Sequence, residues 1–167
     1  AREYLPFAKQ GLSGSFIADA ILQQHDYYSG DDRAFVENTF ENGLSGRLVS
    51  SQKEGDIYES AGRKVNVTYG IYDGSYDICK LNWNKTNMMR PVIANLGSYS
   101  ADELTYVRTV TEDNDTSMVF SDLFGKMVMS RRIDGGINHD TYYIYDLKDS
   151  LACVIQPEGS AVMPPNM

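Results

Sequence analysis

The chain has 167 residues, 42% of them hydrophobic and 23% charged, with a formal net charge of −8 and a pI near 4.7. That length suits one domain, residues 1–167, able to bury roughly two-thirds of its unfolded surface, and the composition excludes global disorder. The acidity argues against a nucleic-acid binder and against docking on anionic lipid, both of which need a basic face; its ordinary consequence is solubility.

The N-terminal segment, residues 1–30, holds one helical pattern. In "SFIADAILQQHDYYSG", Ile17, Ile21, Gln24 and Tyr28 recur at helical spacing, and Gly30 follows as a stop. Strands and a hairpin are predicted over 35–100. "RKVNVTYGIY" sets Val65, Val67, Tyr69 and Ile71 on one face and Lys64, Asn66 and Thr68 on the other, while "DICKLNWN" alternates through Cys79, Leu81 and Trp83. Asp73-Gly74 between them has the form of a primed turn, so residues 63–84 read as one antiparallel hairpin. Ser100 followed by Glu103 has the form of a capping box for one helical turn.

Over 105–159 the chain reads as a β-meander. "TYVRTVT", "SMVFS", "KMVMSRR", "DTYYIYD" and "LACVIQP" are five short strands joined by "EDND", "DLFG", "IDGG" and "LKDS". These connections are too short for crossovers, so the pairing is antiparallel. Their Asp and Gly residues suit tight bends. A weak repeat runs through this part at an offset of 24, laying Asp122-Leu123-Phe124-Gly125-Lys126-Met127 over Asp146-Leu147-Lys148-Asp149-Ser150-Leu151, with an earlier echo at Ser45-Gly46-Arg47-Leu48. Residues 160–167 form a tail. The fold class predicted is mainly β: an antiparallel meander of hairpins, an open twisted or partly closed sheet, with one or two short helices.

The groups that could do chemistry are few. His139-Asp140 could be a base and its carboxylate, but neighbours on a strand face opposite ways, and a turn residue entering a strand is the blander reading. His25 reads as a surface or boundary residue beside Asp26. Two distant histidines make no zinc site. "EDNDT" offers Asp113, Asn114 and Asp115 to calcium but lacks a full loop's glycine and distant glutamate, so it reads as a solvated turn. No catalytic, cofactor or metal residues are assigned. Cys79 and Cys153 form neither a disulfide framework nor a metal pattern and read as two buried thiols, a single bridge being the alternative. The tripeptides "NVT", "NKT" and "NDT" match glycosylation sequons and are given no weight.

Candidate surface residues for a ligand or partner are Trp83 and Tyr76, near Met88, Met89 and Pro91, and the pair Arg131 and Arg132, one of which should be exposed. No stretch reaches the length of a membrane span, so direct insertion is not expected, and no signal peptide opens at Ala1. The ends, "AREYLPFAKQG" and "VMPPNM", suit a mature product or a piece of something larger.

"YYIYDLKDSLACVIQP" resembles a YD repeat, the tyrosine–aspartate unit of RHS-type proteins. "FSDLFGKMVMSRR" followed by "HDTYYIYD" is similar to the region just ahead of the repeats in RHS proteins of Bacteroidetes, a domain of unknown function. "REYLPFA", "ENTFENGLSGRLVSSQKEG" and "VNVTYGIY" resemble that region's earlier blocks in the same order, so the likeness covers nearly the whole chain. It implies a structural module of a large secreted or cell-surface protein, leading into a β-shell that encloses or presents a C-terminal toxin or effector. The implied partner is that downstream YD-repeat shell, with a glycan or neighbouring cell surface as the alternative. Two departures stand out. Asp149 occupies the repeat's usual glycine position, which predicts an irregular turn, and no long repeat array is present. A module cut from a strand array should expose unpaired backbone, which predicts an edge-strand dimer or a tail over the edge.

Overall fold

The computed structural model describes residues 1–4, 20–84 and 92–162. They are mainly β, antiparallel, with three short helices and a sheet that does not close. The chain forms two compact units, Ala1–Val67 with Thr111–Asp113, and Thr68–Val110 with Asn114–Met167. Ile17, Met88, Met89, Pro91 and the tail residues 163–167 lie outside the described residues.

In the first unit, strand β1 (Arg2–Tyr4) pairs with β2 (Phe35–Phe40), β2 with β3 (Leu48–Gln52), and β3 with the first residues of β4 (Val65–Ile71), all antiparallel. Helix α1 (Ala20–Tyr27) falls within the predicted segment. Its stop is built from two residues: Ser29 takes the left-handed conformation (φ 60°) and the Gly30 N–H donates to His25 O at 2.8 Å, closing the last turn. Helix α2 (Asp56–Ser60) has Asp56 and Glu59 in its first turn, where carboxylates favour the helix dipole. Arg33 is buried and ties these parts together. Its guanidinium donates to Glu59 at 2.7 Å, to Gln52 at 3.3 Å and to Glu37 at 3.4 Å. The guanidinium carbons of Arg2 and Arg33 lie 4.6 and 4.9 Å from the centre of the buried Phe35 ring.

The second unit contains the predicted meander. The rest of β4 is followed in the sheet by β7 (Leu104–Val110), β8 (Thr116–Asp122), β9 (Met127–Asp134), β10 (Ile137–Tyr145) and β11 (Leu151–Ile155). Strands β5 (Cys79–Asn84) and β6 (Val92–Ser98) form a separate antiparallel pair. The last helix, α3 (Pro157–Ala161), packs on β10, with Ser160 Oγ donating to Asp140 O at 2.8 Å.

The core of this unit is Tyr72, Ile78, Leu104, Met118, Phe120, Met129 and Tyr142, with Tyr76, Cys79, Leu81 and Tyr106 packed around it. Phe120 is completely buried. Three tyrosine rings surround it: Tyr76 at 5.7 Å, and Tyr72 and Tyr106 each at 6.1 Å. Offset and edge contacts of this kind add to the burial of the rings themselves. The β5–β6 pair contributes through Cys79 and Leu81, and the Cys79 N–H donates to Tyr142 Oη at 3.4 Å. Cys79 and Cys153 are both free thiols, each half-buried.

Several local expectations are corrected. Residues 63–84 are not one hairpin, because β4 lies in the large sheet while β5 pairs with β6. Asp73-Gly74 still bends the chain, with Asp73 Oδ1 accepting from the Ser75 N–H at 2.9 Å and Gly74 at φ 84°, but it opens a loop that drives Tyr72 and Ile78 into the core. In β4, Thr68 is exposed between half-buried Val67 and Tyr69 as expected, but Asn66 is half-buried as well and Ile71 is exposed, because the buried position passes to Tyr72. Ser100 and Glu103 do meet, the Ser100 N–H donating to the Glu103 carboxylate at 2.8 Å, yet they close a turn with Asp102 at φ 67° and no helix follows.

The repeat is real in the backbone. Asp122 Oδ1 accepts from the N–H groups of Phe124 (2.9 Å) and Lys126 (2.8 Å), and Asp146 Oδ1 accepts from those of Lys148 (2.8 Å) and Ser150 (3.0 Å). The main chain repeats as well: Asp122 N donates to Lys126 O and Asp146 N to Ser150 O, at 2.8 and 2.9 Å. The β8–β9 ladder slips one residue after Phe120–Met129, and the β10–β11 ladder slips one residue after Ile144–Cys153, at the same offset. Buried Met118 and Phe120 correspond to buried Tyr142 and Ile144. The turn at Asp149 is regular, contrary to expectation. Asp149 takes φ 62° where Gly125 has φ 85°, since a short acidic side chain tolerates the left-handed region, and its carboxylate pairs with Lys126 of the neighbouring turn.

Candidate functional site

The register of β8, β9 and β10 sorts the polar residues of the meander onto two faces. The β9–β10 turn has two central residues, Gly135 and Gly136, both at positive φ, so Asp134 stands opposite Ile137. Counting down the ladder, Arg132 stands opposite His139 and Arg131 opposite Asp140. Since alternate residues face opposite ways, these pairs lie on different faces of the sheet.

The inner pair belongs to the core. Arg131 is 7% exposed, and its Nε and Nη2 donate to the two Asp140 carboxylate oxygens at 2.7 Å each, a bidentate fork. Its guanidinium carbon lies 5.5 Å from the Tyr76 ring centre. The Asp140 carboxylate holds the Arg131 guanidinium above its ordinary pKa against the opposing effect of burial, whereas burial itself pushes the neighbouring Tyr142 phenol up. Asp140 is therefore occupied by Arg131 and turned away from His139.

The outer face carries a shallow trough of about 480 Å³. Its first row is Ser117, Arg132 and His139, side by side on three strands. The second is Val119, Ser130 and Thr141. Met118, Arg131, Asp134 and Pro157 complete the lining. Ser130 Oγ also meets Tyr143 Oη, from the next outward residue of β10, at 3.4 Å. The side chains of Arg132 and His139 are exposed and have no hydrogen-bond or ion-pair partner among the described residues.

Of the four surface residues picked from sequence, two line this trough. Arg132 stands exposed in it, Arg131 borders it with its guanidinium packed on Tyr76 inside, and Trp83 sits half-buried on β5 opposite Ile93. Tyr76 packs edge-on against Phe120, so its ring serves the core. Ser117, Ser130 and Thr141 carried no sequence signal beyond facing outward. His139 did draw notice, but for a partnership with Asp140 that the strand geometry forbids. Elsewhere, His25 pairs with Asp32 at 2.6 Å, and the "EDND" turn is engaged through Glu112 with Lys53 (2.9 Å) and Asp113 with Arg63 (3.6 Å). Among the described residues no group of three or more His, Cys, Asp or Glu side chains is placed to hold a metal, and no helix is long and apolar enough to cross a membrane. No family model, curated protein or solved structure matches the chain.

Proposed function

We propose that this chain is a non-catalytic structural module of a secreted or cell-surface protein of the RHS, YD-repeat type, leading into a β-shell that encloses or presents a C-terminal effector. The observation that supports the reading is the repeated turn, in which Asp122 and Asp146 fold back successive strand pairs by the same hydrogen bonds and the same one-residue slip. A unit of this kind adds to itself edge by edge, and strand β11 ends the order with one backbone edge unpaired among the described residues. In the full polypeptide that edge receives the next strand pair.

The acidic and basic side chains suit this role. The best-placed carboxylate, Asp140, is spent on Arg131 inside the unit, which favours shape over catalysis.

The test is to extend the chain by the residues encoded directly downstream in its gene. YD units there, and slower amide hydrogen exchange across Leu151–Ile155 in the extended protein, are the expected result. A downstream sequence without such units, or β11 amides that exchange equally fast in both proteins, overturns the proposal.

A further inference from the structure

We infer that the outward trough on β8, β9 and β10 binds a hydroxyl-rich monoanion, of the class of a uronic acid residue in an acidic polysaccharide. The two rows of side chains described above span three strands in one direction and two outward positions in the other, a patch of roughly 10 by 7 Å. Its volume of about 480 Å³ falls within the usual range for small-molecule sites, roughly 300–1,000 Å³.

Arg132 gives the anion preference. In a chain with 23 acidic residues, this arginine lies on an open surface with no carboxylate partner among the described residues. Its planar fork therefore remains available for a carboxylate, which it fits through two parallel hydrogen bonds. His139, directly across the ladder, supplies a ring nitrogen to the same ligand group.

Asp134 sets the limit on charge. Arg131 also borders the trough but is offset by Asp140, which leaves one unpaired cation, Arg132, and one anion, Asp134, so a polyphosphate or nucleic acid that brings further charge near Asp134 meets repulsion that a single carboxylate held at Arg132 largely avoids. Asp134 instead accepts from sugar hydroxyls. Ser117, Ser130 and Thr141 can both donate and accept, as neighbouring hydroxyls on a ring require. Val119 forms an apolar floor and Pro157 a wall against which the ring's C–H face can lie.

The site does not depend on the structural role proposed above, and either can fail alone. The experiment is a titration of the ¹⁵N-labelled chain with oligogalacturonate, with the matched neutral oligogalactoside and inorganic phosphate as comparison probes. Saturable shifts centred on Ser117, Ser130, Arg132 and His139 with the acidic sugar alone are expected. Arg132→Gln should weaken binding at least tenfold and His139→Asn several-fold, while Trp83→Ala leaves it unchanged. Both variants change exposed side chains, and an unaltered amide spectrum confirms that they fold. No shifts with oligogalacturonate, equal binding of the neutral sugar or of phosphate, or a response that survives Arg132→Gln would each overturn the inference.

Discussion

Asp122 and Asp146 occupy equivalent positions in consecutive strand pairs, and each carboxylate accepts the N–H groups two and four residues further on. The two turns also touch, because Lys126 of the first pairs with Asp149 of the second. Each aspartate thus replaces two hydrogen bonds that the bent backbone cannot make for itself.

Asp122→Ala and Asp146→Ala should each lower stability by about 1–2 kcal/mol, the usual magnitude for a lost side-chain cap with two acceptor contacts. Asn keeps the Oδ1 acceptor, so the Asn variants should lose less than half as much. Thermal unfolding of the four variants checks this. Ala variants as stable as the parent would mean that water serves these turns equally well.

Gly70 lies beneath an aromatic ring. A Cβ at this position would fall 2.6 Å from the Tyr106 ring, far inside contact distance, and that ring is itself pinned against Phe120. Gly70→Ala should therefore destabilise by about 1–3 kcal/mol, the range for overpacking a well-filled site. Combining it with Tyr106→Leu should cost less than the sum of the two single changes, because the clash disappears with the ring. Urea unfolding of the double-mutant cycle measures this. Strict additivity would show that the ring moves aside freely.

The sequence was most legible where local chemistry decides the outcome. The first four of the five strands over 105–159 each end at an Asp or Gly bend, and all five form with the expected antiparallel pairing. The 63–84 hairpin failed because Asp73-Gly74 fixes only a bend. Whether β5 then pairs with β4 or with β6 depends on long-range burial of Tyr72 and Ile78. The trough was half legible. A two-residue Gly135-Gly136 turn already sets Arg132 beside His139 and Arg131 beside Asp140. What no local pattern contains is which face the rest of the chain covers, and that choice buries Arg131 and exposes Arg132.

The Arg131–Asp140 pair tests the inner face. Arg131→Met removes the cation and leaves Asp140, at 18% side-chain exposure, without its partner. The loss should be about 3 kcal/mol, at the low end for breaking a buried pair because Asp140 retains some contact with water. Arg131→Met combined with Asp140→Leu should recover most of that loss, since two apolar groups need no partners. Chemical unfolding of the three variants decides it. A double variant no more stable than Arg131→Met alone would show that the Tyr76 contact, and not the ion pair, is what holds this region.

The β2–β3 hairpin should carry a pH signature. The Arg47 guanidinium, assisted by the Ser45 hydroxyl, holds the Glu41 carboxyl down to about 2, from an ordinary value of 4.5. A carboxylate whose pKa is lower when folded adds stability that is fully present above its unfolded value and is lost as pH falls through the folded one. The contribution should hold at neutral pH and disappear between pH 4.5 and about 2. Carboxyl-carbon NMR should place the Glu41 midpoint well below those of the exposed glutamates, and Arg47→Gln should return it toward them. Because both side chains reach solvent, salt should weaken the effect. A Glu41 midpoint near 4.5 in the parent protein would show that Arg47 does not hold this carboxylate in solution.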